Sequence, residues 1–177
     1  AAATFRGINK IFDINAPLED LAELSSKIGS DIPFCVYGGT ALATGHGEKI
    51  ERLPKPPHAW VVIAKPPLSV STKVIYDHLK PGKNKPKSSE MVEAIHNKSY
   101  SAMIAAMKND LQEVTRRKYS KVNVLLNKMQ SLGADKAMMS GSGPTVFGIV
   151  QKERQAKQLS NALRGFCSEV YVVRLRG

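Results

Sequence analysis

An aspartate in Gly29-Ser30-Asp31-Ile32-Pro33-Phe34 and a glycine-rich segment, Ser140-Gly141-Ser142-Gly143-Pro144-Thr145, are the residues best suited to chemistry. Asp31 is followed by Ile32, Phe34 and Val36, which suggests a carboxylate held at the edge of a core. Such a group can accept a substrate hydroxyl proton during phosphoryl transfer. It can equally be a turn or cap aspartate, and local chemistry does not choose. Pro33 disfavours helical geometry at Ile32, so the segment is expected to be a short turn. In the second segment, Gly141 and Gly143 allow positive φ and a close backbone approach to a ligand. Consecutive N–H groups there can form a nest for an anion; a plain hairpin turn uses the same residues.

Thr72 can touch a substrate or cap a helix, with Ser71 as the other capping candidate. Lys80, Lys83, Lys85 and Lys87, and then Arg116, Arg117 and Lys118, can bind phosphates or simply face water. Metal and hydrolase chemistry find less support. His46, His58, His78 and His96 are scattered, with no second His or Cys at ligand spacing. Gly141-Ser142-Gly143 has the wrong glycine spacing for a Gly-x-Ser-x-Gly nucleophile elbow.

The elements that position these residues follow from periodicity. Phe5, Ile8, Ile11 and Phe12 recur at helical spacing, and Leu18, Leu21, Leu24 and Ile28 form the expected buried stripe of a second helix. Residues 37–44 and 48–53 read as a hairpin turning at Gly45-His46-Gly47. Pro54, Pro56 and Pro57 make the best linker. It divides the chain into 1–57 and 58–177.

Beyond the linker, 59–64 reads as a buried strand, and a helix follows from Ser71 or Thr72. Residues 80–87 form a basic loop. Helices are expected over 89–97, 100–115 and 118–132, strands over 136–139 and 145–150, a helix through Ala156, Leu159 and Leu163, and a last strand over 169–175. That order is a split βαβ, ferredoxin-like arrangement with inserted helices, so the fold class is α+β.

The chain has 177 residues, with 42% hydrophobic and 23% charged, values ordinary for a globular protein. The longest apolar runs, such as Trp60–Ala64, are strand-sized, so no membrane span is expected. Two cysteines, Cys35 and Cys167, show no disulfide framework and read as thiols of a reducing compartment. The net charge of +11 suits phosphate-bearing substrates, nucleic acid or a merely solvated basic surface. The apolar stripe after Ala1-Ala2-Ala3 begins with no Met and no cap, which suggests a helix already under way and a chain preceded by more sequence.

Taken in order, these segments resemble the GHMP kinase superfamily: the alanine-led helix, Gly-Ser-Asp-Ile-Pro-Phe, Gly38-Gly39-Thr40-Ala41, Gly45-His46-Gly47-Glu48, Lys65-Pro66-Pro67 with Ser71-Thr72, Asn109-Asp110-Leu111, and Met139 to Thr145. The match is best to the branch acting on a cytidyl-diphosphate-linked sugar alcohol in the non-mevalonate isoprenoid pathway. The resemblance implies the remainder of a ribosomal-S5-domain-2-like N-terminal domain in 1–57. A ferredoxin-like GHMP C-terminal domain follows in 58–177.

It also implies ATP-dependent phosphorylation of a hydroxyl, normally with Mg²⁺. Asp31 is then the catalytic aspartate, Gly141, Ser142 and Gly143 form a loop near substrate or phosphate, and Thr72 lies near the substrate cleft. Family members also use an N-terminal phosphate loop and a lysine, which these 177 residues do not include. The chain alone is therefore expected to be inactive and the complete protein active. The implied partner is the small cytidyl-diphosphate substrate, in the cytoplasm, with neither membrane nor nucleic acid; no metal-ligand residues are assigned. Alternatives are another GHMP kinase, for homoserine, mevalonate or a sugar, and, from a different class, a basic ferredoxin-like nucleic-acid-binding module. For the last, Phe147 and Tyr171 are the aromatics on the terminal strands, without the accompanying Arg/Gly pattern.

Overall fold

A computed structural model describes residues 1–45, 47, 49–79 and 87–176. His46, Glu48 and most of the expected basic loop, including Lys80, Lys83 and Lys85, lie outside the described residues. The chain divides into two compact units, the first centred on Ala1–Pro56 and the second on Pro57–Leu175.

In the first unit, α1 (Ala2–Ile11), α2 (Leu18–Ser26) and α3 (Ile32–Tyr37) precede a hairpin of β1 (Thr40–Thr44) and β2 (Lys49–Leu53). Thr40 pairs with Leu53 and Thr44 with Lys49. Leu21, Ala22 and Val36 form a small core, with Phe5, Leu18, Ile32 and Tyr37 packed on it. The Asn9 amide closes the α1–α2 turn by donating to the Ala16 carbonyl at 3.1 Å and accepting from the Ala16 N–H at 2.9 Å.

The expected buried stripe of α2 holds only in part. Leu21 is buried, but Leu24 and Ile28 are exposed, as are Ile8 and Ile14. These four side chains line an open apolar cavity of about 480 Å³ between α1 and α2. The helical pair buries one stripe on α3, and among the described residues nothing in its own unit covers the other.

In the second unit, β3 (Trp60–Lys65) is followed by α4 (Thr72–Asp77), α5 (Ser88–His96), α6 (Tyr100–Ala106), α7 (Leu111–Lys118) and α8 (Ser120–Ser131). Then come β4 (Lys136–Met139), β5 (Val146–Val150), α9 (Glu153–Arg164) and β6 (Glu169–Arg174). The sheet order is β4-β5-β3-β6, antiparallel throughout, which is the split βαβ order.

Alternation along β3 sends Val62 and Ala64 to one face and Val61 and Ile63 to the other. The first face meets Leu125, Met129, Leu159 and Leu163 of α8 and α9. The second meets Met91, Tyr100, Ile104 and Met107. Gly148 lets these layers close: a Cβ there would sit 3.2 Å from Ala134 Cβ and 3.3 Å from Leu159 Cδ2. The methionines Met103, Met107 and Met129 are core, as their spacing suggested.

The helix expected over 100–115 is broken. α6 stops at Ala106, Met107 is extended with ψ 121°, and α7 starts at Leu111. No glycine or proline marks the break. Asn109 makes it, because its side chain is engaged elsewhere, as described below.

Candidate active site

Asp31 occupies the N-cap position of α3, at φ −87° and ψ −10°, and is exposed. Its carboxylate caps no helix N–H. Among the described residues it forms no ion pair. The turn expected after it is instead a helix. Pro33 falls in the first turn of α3, where a missing N–H leaves no bond unmade. Ile32 is therefore helical despite preceding a proline.

The strand expected from Tyr37 begins only at Thr40. Tyr37 ends α3, and Gly38 and Gly39 take φ +67° and +80° to redirect the chain. Gly47, at φ +105°, packs on the backbone just before Asp31: a Cβ there would lie 3.1 Å from the Ser30 carbonyl oxygen. The hairpin turn thus supports the Asp31 segment from within the same unit. Cys35 is exposed on the same short helix.

The second unit carries the glycine-rich loop between β4 and β5. Ser140 N–H donates to the Thr145 carbonyl at 2.9 Å and Gly143 N–H to the Ser140 carbonyl at 2.9 Å. Gly141 and Gly143 have φ +55° and +86°, and the Gly143–Pro144 peptide is cis. Among the described residues, the N–H groups of Gly141 and Ser142 donate to no backbone carbonyl. They are the loop's candidates for an anion.

Side chains fix this loop from two directions. Ser71 caps α4, its hydroxyl facing Val74 N–H at 3.5 Å, so Thr72 is the first residue of the helix rather than its cap. The Thr72 and Ser142 hydroxyls are 2.9 Å apart. On the other side, Asn109 Nδ2 donates to the carbonyls of Met139 at 2.7 Å and Gly141 at 2.9 Å. Gln112 Oε1 accepts from Met139 N–H at 2.9 Å, and the buried Thr115 hydroxyl donates to the Ser142 carbonyl at 3.1 Å.

The structure therefore brings Thr72, Gly141, Ser142 and Gly143 together; Asp31 stands in the other unit. Gln112 and Thr115 had no sequence signal. Asn109-Asp110 did carry one, because that pair favours turns over helix interiors.

The basic residues divide differently. Arg116 and Arg117 both pair with Glu113, at 2.9 and 2.8 Å, and Lys87 pairs with Glu90 at 3.3 Å. These are exposed pairs on a solvated face. Among the described residues no three His, Cys, Asp or Glu side chains gather to hold a metal, and no helix is long and apolar enough to cross a membrane. Tyr100 donates to Asp135 at 2.6 Å, and burial together with that carboxylate pushes its phenol well above the ordinary range. Burial also raises the Cys167 thiol.

An antiparallel split βαβ unit with a braced glycine-rich loop is the architecture of a GHMP kinase C-terminal domain. Residues 91–169 match the family described as GHMP kinases C terminal. Along its whole length the chain is 51% identical to 4-diphosphocytidyl-2-C-methyl-D-erythritol kinase of Bacillus subtilis (strain 168) and 50% identical to the protein of that name from Geobacillus sp. (strain WCH70). It spans 62% of each of these relatives. A crystal structure of 4-(cytidine 5'-diphospho)-2C-methyl-D-erythritol kinase superposes with a TM-score of 0.82 at 26% identity, covering all of this chain and 63% of that one. Homoserine kinase from Cytophaga hutchinsonii also superposes with a TM-score of 0.82, at 20% identity over 99% of this chain and 64% of that one, and shows the same fold.

Proposed function

We propose that the protein carrying this chain is an ATP-dependent small-molecule kinase that phosphorylates a hydroxyl of 4-diphosphocytidyl-2-C-methyl-D-erythritol, in the cytoplasm, on the route to isoprenoid precursors. The observation that carries this reading is the identity of about half of all residues, along the entire chain, to kinases named for that substrate. Fold alone does not select the substrate, since a homoserine kinase superposes equally well.

In this reading Asp31 is the base. Its exposed carboxylate, which caps no helix N–H, accepts the proton of the attacking hydroxyl. The loop Gly141–Gly143 turns N–H groups toward phosphate oxygens, and Thr72 sits beside it at the substrate.

The residues present fit a nucleotide phosphate, because the Gly141 and Ser142 N–H groups are unspent among the described residues. Mg²⁺ is commonly held by one or two carboxylates together with substrate phosphates, which needs no all-protein cage. Asp31 is a carboxylate that could contribute.

The test is a parallel assay of the complete protein with ATP and, separately, 4-diphosphocytidyl-2-C-methyl-D-erythritol, homoserine and mevalonate. The reading expects transfer to the cytidyl substrate with a kcat/KM at least about a hundredfold above the others, since a site built around a polar group rejects substrates lacking it. Preference for homoserine or mevalonate would replace the substrate while keeping the kinase.

A further inference from the structure

The four hydrogen bonds from Asn109, Gln112 and Thr115 form a row. Gln112 and Thr115 are three apart on α7 and so share one side of it, while Asn109 stands just ahead of the helix, before its N-cap Asp110. Their acceptors and donors are the backbone groups of Met139, Gly141 and Ser142, most of the loop's leading arm.

The Asn109 amide is fully used. Its Nδ2 serves two carbonyls and its Oδ1 accepts from Leu111 N–H at 2.9 Å. This arrangement breaks the α6–α7 helix at a cost in local regularity, which a purely structural loop with its own internal bonds would not need.

A trans peptide directs its C=O and N–H in opposite directions. With the Gly141 carbonyl turned onto Asn109, the Ser142 N–H must point away from α7. With the Met139 carbonyl turned the same way, the Ser140 N–H points toward Thr145, where its bond is found. Thr115 holds the Ser142 carbonyl in the same manner. Asn109 and Thr115 thus hold the Met139, Gly141 and Ser142 carbonyls on one side and leave the Ser142 N–H on the other.

We propose that Asn109 is a positioning residue that fixes the direction of the Ser142 N–H toward a bound phosphate, with Gln112 and Thr115 locking the neighbouring peptides. The proposal rests on the kinase reading of the loop. It adds that the loop's anion-facing geometry is imposed by α7 rather than by the two glycines alone.

Two variants test it in the complete protein. Asn109→Asp keeps the oxygen that accepts from Leu111 but places an acceptor against two carbonyls. Thr115→Val keeps the shape and removes the hydroxyl; Thr115→Ser restores the hydroxyl. Loop order is read from amide hydrogen exchange of Ser140 and Gly143, and function from KM for ATP and kcat measured separately.

The expected result is exchange at both amides faster by about tenfold, the size of one lost hydrogen bond, in Asn109→Asp and Thr115→Val. KM for ATP should rise by a similar factor in both, with Thr115→Ser near wild type. Unchanged exchange in both variants overturns the proposal whatever the kinetics. Faster exchange with unchanged KM and kcat also overturns it, because the loop's order would then not matter. If the wild-type protein transfers phosphate to none of the tested alcohols, the kinase reading fails. Exchange at Ser140 and Gly143 then still decides whether α7 imposes the loop's geometry.

Discussion

Replacing Gly143 by alanine offers the sharpest reading of how tightly the loop is built. The new Cβ lands 2.7 Å from Met139 Sδ and 3.3 Å from both Met139 Cγ and Thr115 Cγ2, on a backbone at φ +86°. The left-handed conformation costs a non-glycine residue roughly 1–2 kcal/mol. Met139 is 1% exposed and packed in the main core, so it cannot simply swing away. Overpacking of that kind adds about 1–3 kcal/mol. The expected loss for Gly143→Ala is therefore on the order of 2–5 kcal/mol.

Gly141→Ala is the control. Its φ of +55° lies in the left-handed well and nothing stands within 4 Å of the added Cβ, so only the conformational cost applies. The gap between the two variants should be about 1–3 kcal/mol, or about 2–12 °C in Tm for a chain of this size. Thermal unfolding followed by circular dichroism measures it. Equal losses in the two variants would refute the argument that Met139 and Thr115 wall in the loop.

Two further outcomes follow from the same geometry. Gly47→Ala should cost about 1–3 kcal/mol, since it combines φ +105° with a contact of 3.1 Å on the Ser30 carbonyl, and urea unfolding will read it. Tyr100, whose ionisation is suppressed in the folded protein, contributes stability that is fully present below pH 10, the ordinary phenol value, and is lost as pH rises above it. Tyr100→Phe should therefore flatten the alkaline fall in stability, and an unchanged pH profile above 10 would assign that fall to other groups.

Much of this fold was legible from periodicity. The continuous apolar run of β3 and the stripe of α9 define a buried strand and its helical cover directly. The failures have physical causes. Pro33 reads as a helix breaker, yet the first turn of a helix tolerates it, so α3 was expected to be a turn. Leu24 and Ile28 fit a buried stripe by spacing alone, but burial needs a covering surface, which periodicity cannot report. The α6–α7 break is set by Asn109 bonding to residues some 30 positions later, a tertiary demand that overrides local helix propensity.

The site was legible to the same degree. Glycine spacing marked the loop, and the Ser71-Thr72 pair marked the α4 start. Which residue of that pair caps the helix is set by the Ser71 hydroxyl facing Val74 N–H, which leaves the Thr72 hydroxyl to reach Ser142. Gln112 and Thr115 look like ordinary helix residues, because their role depends on distant backbone carbonyls rather than on their own neighbours.

Asp31 is proposed to serve phosphoryl transfer to the cytidyl-linked alcohol. Phosphorus NMR of the complete protein with ATP and 4-diphosphocytidyl-2-C-methyl-D-erythritol tests it, run on wild type and on Asp31→Asn. Wild type should produce a new phosphate monoester. The variant should form it slower by about 10²–10⁴-fold, the loss expected for a general base, with unfolding unchanged because the carboxylate caps no helix N–H. Product formation by Asp31→Asn at close to the wild-type rate would contradict the claim.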